Sequence, residues 1–345
     1  MKEKTSGATA RVPLRISFAG GGTDVSPYPE LHGGAVACST IQTYVHADVW
    51  STDKNYVEVR SIDTGTLIRL DNENSSVNTS HLLSESIKEV RKSDIDGFSV
   101  AVRSTVPPGS GLGASSAISL AILGAMKEYS GQSYDRQSLA KAAYRVEREV
   151  IDIAGGYQDQ YACSFGGFNL LEFGKNGTCK QTPLKMNDAF IAEFEHDLLL
   201  FWVGGTRMSD GIIRDQTNNF KSGITLDTMH QQKSLAFQMA AALTSSNMLE
   251  IGALLNQGWE LKKRYSKMIT NSTVDFAYSE ALNTGAIGGK LLGAGGGGFL
   301  LLLAKRHKRH LVVDRLRELG LMEYPLIFDS EGAKVWKTIN DAYQI

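Results

Sequence analysis

The run Pro107-Pro108-Gly109-Ser110-Gly111-Leu112-Gly113-Ala114-Ser115-Ser116-Ala117 constrains this chain more than any other stretch. Before it, residues 97–106 alternate and are rich in β-branched side chains, which predicts a strand. After it, apolar residues recur at helical spacing from Ala117 to Tyr129. A strand that enters a helix through glycines leaves backbone N–H groups free at the helix start, and such groups bind anions. Glycine at alternate positions also lets a ligand approach the main chain closely. Ser115 and Ser116 fall in the first turn, where a hydroxyl can meet a phosphate or a metal bound to it. We therefore read Pro108, Gly109, Ser110, Gly111, Leu112, Gly113, Ala114, Ser115 and Ser116 as a nucleotide-phosphate site. No Gly-Lys-Ser/Thr follows, so the loop is not of the Walker A type, and its spacing is not that of a dinucleotide fingerprint.

A length of 345 residues predicts two domains, or one with a large insertion. The polar stretch from Gly174 to Lys185 suggests a boundary, with a nucleotide-binding unit over 1–180 and a second unit over 181–345. Balanced charge, 36 Lys+Arg against 37 Asp+Glu, argues against a chain built to hold nucleic acid or an anionic membrane. No apolar run approaches a membrane span, and no secretory signal is visible. Cys38, Cys163 and Cys179 have no metal spacing, which fits free thiols in a reducing cytoplasm.

Elsewhere, Ala8–Ala19 reads as a strand carrying Arg11 and Arg15, ending in Gly20-Gly21-Gly22-Thr23-Asp24. That turn should expose the Asp24 carboxylate and nearby amides. Tyr56–Leu70 reads as a hairpin, and Asp135–Ile151 as one helix capped by Ser133 or Asp135. Glu147, Glu149, Asp152 and Asp159 then lie close along the chain, and each alone could be a solvated charge. Asp159 sits in the first turn of a further helix, where the dipole favours an acid. Residues 225–245, 248–265 and 273–285 read as helices, with His230–Lys233 as one polar face. A third glycine cluster, Gly288–Phe299, leads into a buried strand and a basic helix whose charges read as a wet face.

Three glycine-bearing motifs in this order resemble the GHMP small-molecule kinases, named for galactokinase, homoserine kinase, mevalonate kinase and phosphomevalonate kinase. They are Arg15–Asp24, Pro107–Ala117 and Lys290–Gly298. The resemblance implies an α+β fold: an N-terminal ribosomal-protein-S5-like domain, a C-terminal ferredoxin-like domain, and an active site in the cleft between them. Gly-Gly-Gly-Thr-Asp in the first motif, with Gln158–Ala162 and Gly166–Asn169, is similar to the sugar-1-kinase branch that holds heptose 7-phosphate kinases and fucokinase domains. This implies ATP- and Mg²⁺-dependent phosphorylation of the anomeric hydroxyl of a sugar or sugar phosphate, by a monomer or homodimer.

By resemblance, Asp159 is the general base and Arg15 its partner. Ser115 and Glu147 hold Mg²⁺, with Glu149 the alternative carboxylate. Gly21, Gly22, Thr23, Asp24, Gly156, Gly295 and Gly296 contact the sugar. Arg207, after Gly204-Gly205-Thr206, is the candidate for a distal phosphate, and Arg11 a second. A sensor that binds without turnover is the competing class; the joint presence of Asp159, Arg15 and Ser115 argues against it.

Overall fold

The computed structural model describes residues 7–54, 56–70, 79–90, 97–107, 109–205 and 209–338. Pro108 and Arg207 lie outside the described residues.

Two long antiparallel strands, β1 (Gly7–Ala19) and β2 (Gly34–Ser51), form the spine of the first sheet, paired from Gly7 opposite Trp50 to Ala19 opposite Ala37 with register shifts after Pro13 and after Ser17. A short helix, α1 (Tyr28–His32), lies in their connection. Side chains alternate across a strand. Leu14, Ile16 and Phe18 accordingly enter the core, and Arg15 and Ser17 take the opposite face. The hairpin β3 (Val57–Ser61) and β4 (Thr66–Leu70) follows, then α2 (Thr79–Lys88) and β5 (Phe98–Ser104). Strand β5 pairs antiparallel with β2 and parallel with β3.

Helix α3 (Ala114–Tyr129) packs on β1 and β2 through a nearly continuous apolar surface that includes Leu120, Ile122 and Met126. It starts at Ala114, so both serines lie in its first turn, as read from the sequence. Helix α4 (Arg136–Tyr144) is capped by Asp135, whose Oδ1 accepts the Ser138 amide at 2.8 Å. The expected helix to Ile151 is not continuous: Arg145–Val150 forms a π-helical turn. Such turns often mark functional positions. Helix α5 (Gln158–Phe165), β6 (Asn169–Phe173) and β7 (Cys179–Pro183) complete this part, so the polar 174–185 stretch is a hairpin.

Helix α6 (Asp188–Asp197) precedes β8 (Leu198–Trp202), and α7 (Ser209–Lys221), α8 (Leu226–Thr244), α9 (Met248–Lys263) and α10 (Ser272–Thr284) follow. The remaining elements are β9 (Ala286–Leu291), β10 (Phe299–Ala304), α11 (Arg309–Glu318), β11 (Met322–Tyr324), β12 (Phe328–Asp329) and β13 (Lys334–Lys337). Among the described residues a second sheet runs β11-β8-β10-β9, while β12 and β13 return to the first sheet beside β2 and β1. Helix α8 packs on β1 and β2, and α9 packs on α8 and β9.

Two sequence expectations fail here for packing reasons. Gln232, placed on a polar face, is fully buried where α8 meets Gly258 of α9. Strand β9 was hidden inside a glycine cluster. A Cβ on Gly288 would lie 1.9 Å from the Gly252 carbonyl oxygen, so this glycine is what lets α9 sit on the strand. The three cysteines are buried free thiols.

Candidate active site

A cleft of about 330 Å³ opens between β1, the β3–β4 hairpin, the start of α3, the 153–159 segment, α7, α9 and the third glycine cluster. Its floor is the glycine loop. Gly109, Gly111 and Gly113 have φ of 76°, 77° and 79°, the left-handed region that costs other residues about 1–2 kcal/mol. Gly113 is the N-cap of α3, and among the described residues no side chain caps the first amides of that helix, which border the cleft.

Arg15 sits directly against this loop. Its Nε donates to Asp159 Oδ1 at 2.7 Å and its Nη2 lies 2.7 Å from the same oxygen. Its Nη1 donates to the Gly111 carbonyl, and its backbone N–H donates to the Leu112 carbonyl at 3.0 Å. Arg15 is 3% exposed. Burial works against its charge, but the groups around it, Asp159 foremost, together raise its pKa. The Gly113 Cα faces the pair: a Cβ there would lie 3.3 Å from Arg15 Cγ and 3.5 Å from Asp159 Cβ. The expected partnership of Arg15 and Asp159 is therefore present, and it abuts the loop.

The π-helical turn points Glu147 inward. Its carboxylate is fully buried and accepts from the Ser115 hydroxyl, from the Ser116 hydroxyl at 2.7 Å, and from the Gln160 amide. Among the described residues no cation pairs with it. A buried carboxylate surrounded by neutral donors favours an added cation. Glu149 is exposed and does not line the cleft, which removes it as the alternative. No group of three or more His, Cys, Asp or Glu able to hold a metal is found among the described residues.

The first glycine motif divides. Gly21 and Gly22 line the cleft. Thr23 and Asp24 are fully buried and do not line it. Asp24 accepts the Gly22 amide at 3.0 Å and the Gln158 amide at 3.1 Å, and a Cβ on Gly156 would strike its Oδ2. The carboxylate thus braces the loop against the 156–158 segment instead of being exposed by the turn. Burial pushes its pKa up, against those two hydrogen bonds. Thr23 bonds to the Gly20 and Ala35 carbonyls. Gly156 lines the cleft, as expected.

In the third cluster the lining residues are Gly293 and Ala294, not the expected Gly295 and Gly296. Gly296 donates to the Ile269 carbonyl at 2.7 Å, and a Cβ on Gly295 would lie 2.7 Å from Ile269 Cα. Arg11 lies outside the cleft, paired with Glu331 at 2.8 Å and stacked on Tyr44.

Comparison with known proteins gives the family. Residues 81–167 match the family model described as GHMP kinases N terminal domain, and residues 239–320 match GHMP kinases C terminal. A D-glycero-alpha-D-manno-heptose 7-phosphate kinase from Campylobacter jejuni is 31% identical over 95% of this chain and 98% of its own. This chain belongs to the GHMP kinases. A crystal structure of a D-glycero-D-manno-heptose 1-phosphate kinase from Bacteroides thetaiotaomicron superposes on this GHMP kinase with a TM-score of 0.80 at 28% identity, covering 96% of this chain and all of that one. An L-fucokinase/L-fucose-1-P guanylyltransferase from Bacteroides fragilis is 28% identical over 86% of this chain but only 34% of its own length. The protein is an ATP-using phosphotransferase with an alcohol group as acceptor, and its relatives include sugar kinases. No helix among the described residues is long and apolar enough to cross a membrane.

Sequence reading missed two cleft-side cations of this GHMP kinase. Lys262 on α9 is 5% exposed, lines the cleft and donates to the Gly293 carbonyl. Burial, aided by the Arg15 charge, lowers its pKa to about 8, while Asp24 and Asp159 oppose the shift. The signal was present: Lys262 falls at helical spacing behind Ile251, Leu255 and Trp259, on the buried stripe of α9. A lysine in an apolar stripe needs an electrostatic reason. The second is Arg148, which follows Glu147 in the π-helical turn and also lines the cleft.

Proposed function

We propose that this GHMP kinase transfers the γ-phosphoryl of ATP to the anomeric hydroxyl of D-glycero-D-manno-heptose 7-phosphate, giving the 1,7-bisphosphate. The observation that carries the reading is Arg15–Asp159 set against the amides of the glycine loop, in a chain whose Campylobacter jejuni relative bears that substrate in its name.

In this reading the N–H groups of Gly109–Ser116 hold the triphosphate. Leu82, Leu83, Val102 and Val106 wall the apolar end of the cleft, with Ser61, Asp63 and Thr64 of the hairpin beside them, and this end takes the adenosine. Ser115 and Glu147 supply hard oxygen ligands for Mg²⁺, which fits an ion that completes its shell with water and phosphate oxygens. When bound, the ion neutralises phosphate charge.

Asp159 accepts the proton of the sugar hydroxyl as that oxygen attacks. Arg15 fixes the Asp159 carboxylate and, with Lys262, faces the charge on the transferring group. Gly21, Gly22 and Gly156 shape the acceptor side. The reading places the enzyme in the cytoplasm, acting on a small molecule.

The test is ADP release with D-glycero-D-manno-heptose 7-phosphate, L-fucose, galactose and mevalonate as acceptors, with and without Mg²⁺. We expect kcat/KM for the heptose phosphate to exceed the others by at least about tenfold, with no turnover without the ion. A higher value for fucose or mevalonate would overturn the substrate.

A further inference from the structure

We propose that Arg148 holds the phosphate that the acceptor already carries, and so sets the preference for a phosphorylated sugar; the inference rests on the reaction just proposed.

Among the described residues three cations line the cleft: Arg15, Arg148 and Lys262. Arg15 is engaged by Asp159. Lys262 is buried on the Gly293 carbonyl. Arg148 is part-buried and has no carboxylate at ion-pair distance among the described residues. Its guanidinium makes two long bonds, Nη1 to the Ile153 carbonyl at 3.3 Å and Nε to the Gly156 carbonyl at 3.4 Å. A guanidinium has five donors, so most remain free.

The Arg214 and Ala154 bonds of Asp210 lower its pKa, and the Arg148 charge is near enough to help, but Asp210 forms no ion pair with Arg148. Asp210 accepts the Ala154 amide at 2.9 Å and pairs with Arg214 at 2.7 Å. Asp152 points to solvent, 3.5 Å from Arg214. A planar fork with free donors, set in a cleft, matches a phosphate ester.

Its location selects the acceptor's phosphate over the nucleotide's. A Cβ on Gly155 would come within 2.3 Å of Arg148 Cζ, so the guanidinium lies on bare backbone at 155. That backbone leads within four residues to Asp159, where the acceptor hydroxyl reacts. The nucleotide loop bonds to Arg15 and to Glu147, the residue before Arg148, but among the described residues it makes no bond to Arg148 itself. A sugar with its reacting hydroxyl at Asp159 would therefore reach Arg148 with its far end.

The test compares KM for D-glycero-D-manno-heptose 7-phosphate, for the unphosphorylated heptose and for ATP in wild type, Arg148→Gln and Arg148→Lys. Arg148→Gln should raise KM for the heptose phosphate by about 10- to 100-fold, the loss of charge-assisted bonds, and erase the advantage over the unphosphorylated sugar. KM for ATP should stay within about twofold. Arg148→Lys should recover part of the loss, since it keeps the charge without the fork. An equal rise in KM for ATP assigns Arg148 to the nucleotide and overturns the inference. So does an unchanged KM for the heptose phosphate in a variant that retains turnover. A wild type that ignores sugar phosphates overturns the proposed reaction as well, which separates the two failures.

Discussion

The second and third glycine clusters look alike on paper and do different work. In the loop at 109–116 the glycines turn a helix start toward an open cleft, and among the described residues no side chain caps the resulting amides. At 293–298 the glycines pack against protein, although Gly293 also lines the cleft. A Cβ on Gly293 would lie 2.5 Å from Gly111 Cα, and one on Gly298 would lie 2.7 Å from the Ser110 carbonyl oxygen. The third cluster is thus a bed on which the second rests. The packing is mutual, since a Cβ on Gly111 would lie 2.8 Å from the Leu292 carbonyl oxygen; what sets the second cluster apart is the helix start it turns toward the cleft. Glycine density alone does not separate them; the helix that follows only the first set does.

This contrast can be broken in order of expected effect. Asp159→Asn, beside the ligand-facing cluster, should lower kcat by about 10²–10⁴-fold in steady-state assays, since it removes the proton acceptor and keeps the shape. Glu147→Gln should cost about 10²-fold in kcat at saturating Mg²⁺, with a raised requirement for the ion.

Lys262→Met should lower kcat/KM about tenfold and remove an alkaline limb from the pH profile. The sign follows from its pKa of about 8: the ammonium is present below that pH and lost above it, so wild-type kcat/KM falls as pH rises through that value. Arg15 pushes the value down, and Asp24 and Asp159 hold it up. A wild-type profile flat to pH about 9.5 would remove Lys262 from that role.

Gly295→Ala, in the bed, should act on stability. Its φ is 119° and the added methyl meets Ile269 backbone. We expect a loss of about 1–3 kcal/mol, read as several degrees in Tm, with ATP affinity little changed. A large loss of ATP affinity at unchanged Tm would merge the two clusters into one role.

Most of the nucleotide end was legible because it is built from consecutive residues: the loop, the two serines and their strand–helix context all lie within one segment. Arg15, Glu147 and Asp159 were singled out by resemblance, and the fold brings all three to that loop. Asp24 was misread because a turn that exposes a carboxylate in isolation here folds back on Gln158, a contact 134 residues away. Lys262, Arg148 and strand β9 were missed for a shared reason. Their surroundings come from what another segment places beside them; only Lys262 left a local trace, as a lysine on the apolar stripe of α9. Helix α7 was missed because its residues are mostly polar, although its few apolar residues gather on one face.

The central claim is that loop amides grip the triphosphate while a separate carboxylate next to them does the chemistry. Titration of Mg²⁺-ATP into Asp159→Asn and Gly113→Ala tests it side by side. The account predicts that Asp159→Asn binds within about twofold of wild type, while Gly113→Ala, whose methyl needs a left-handed backbone against Arg15, binds about tenfold more weakly. Equal losses in both variants, or full affinity in Gly113→Ala, would contradict it.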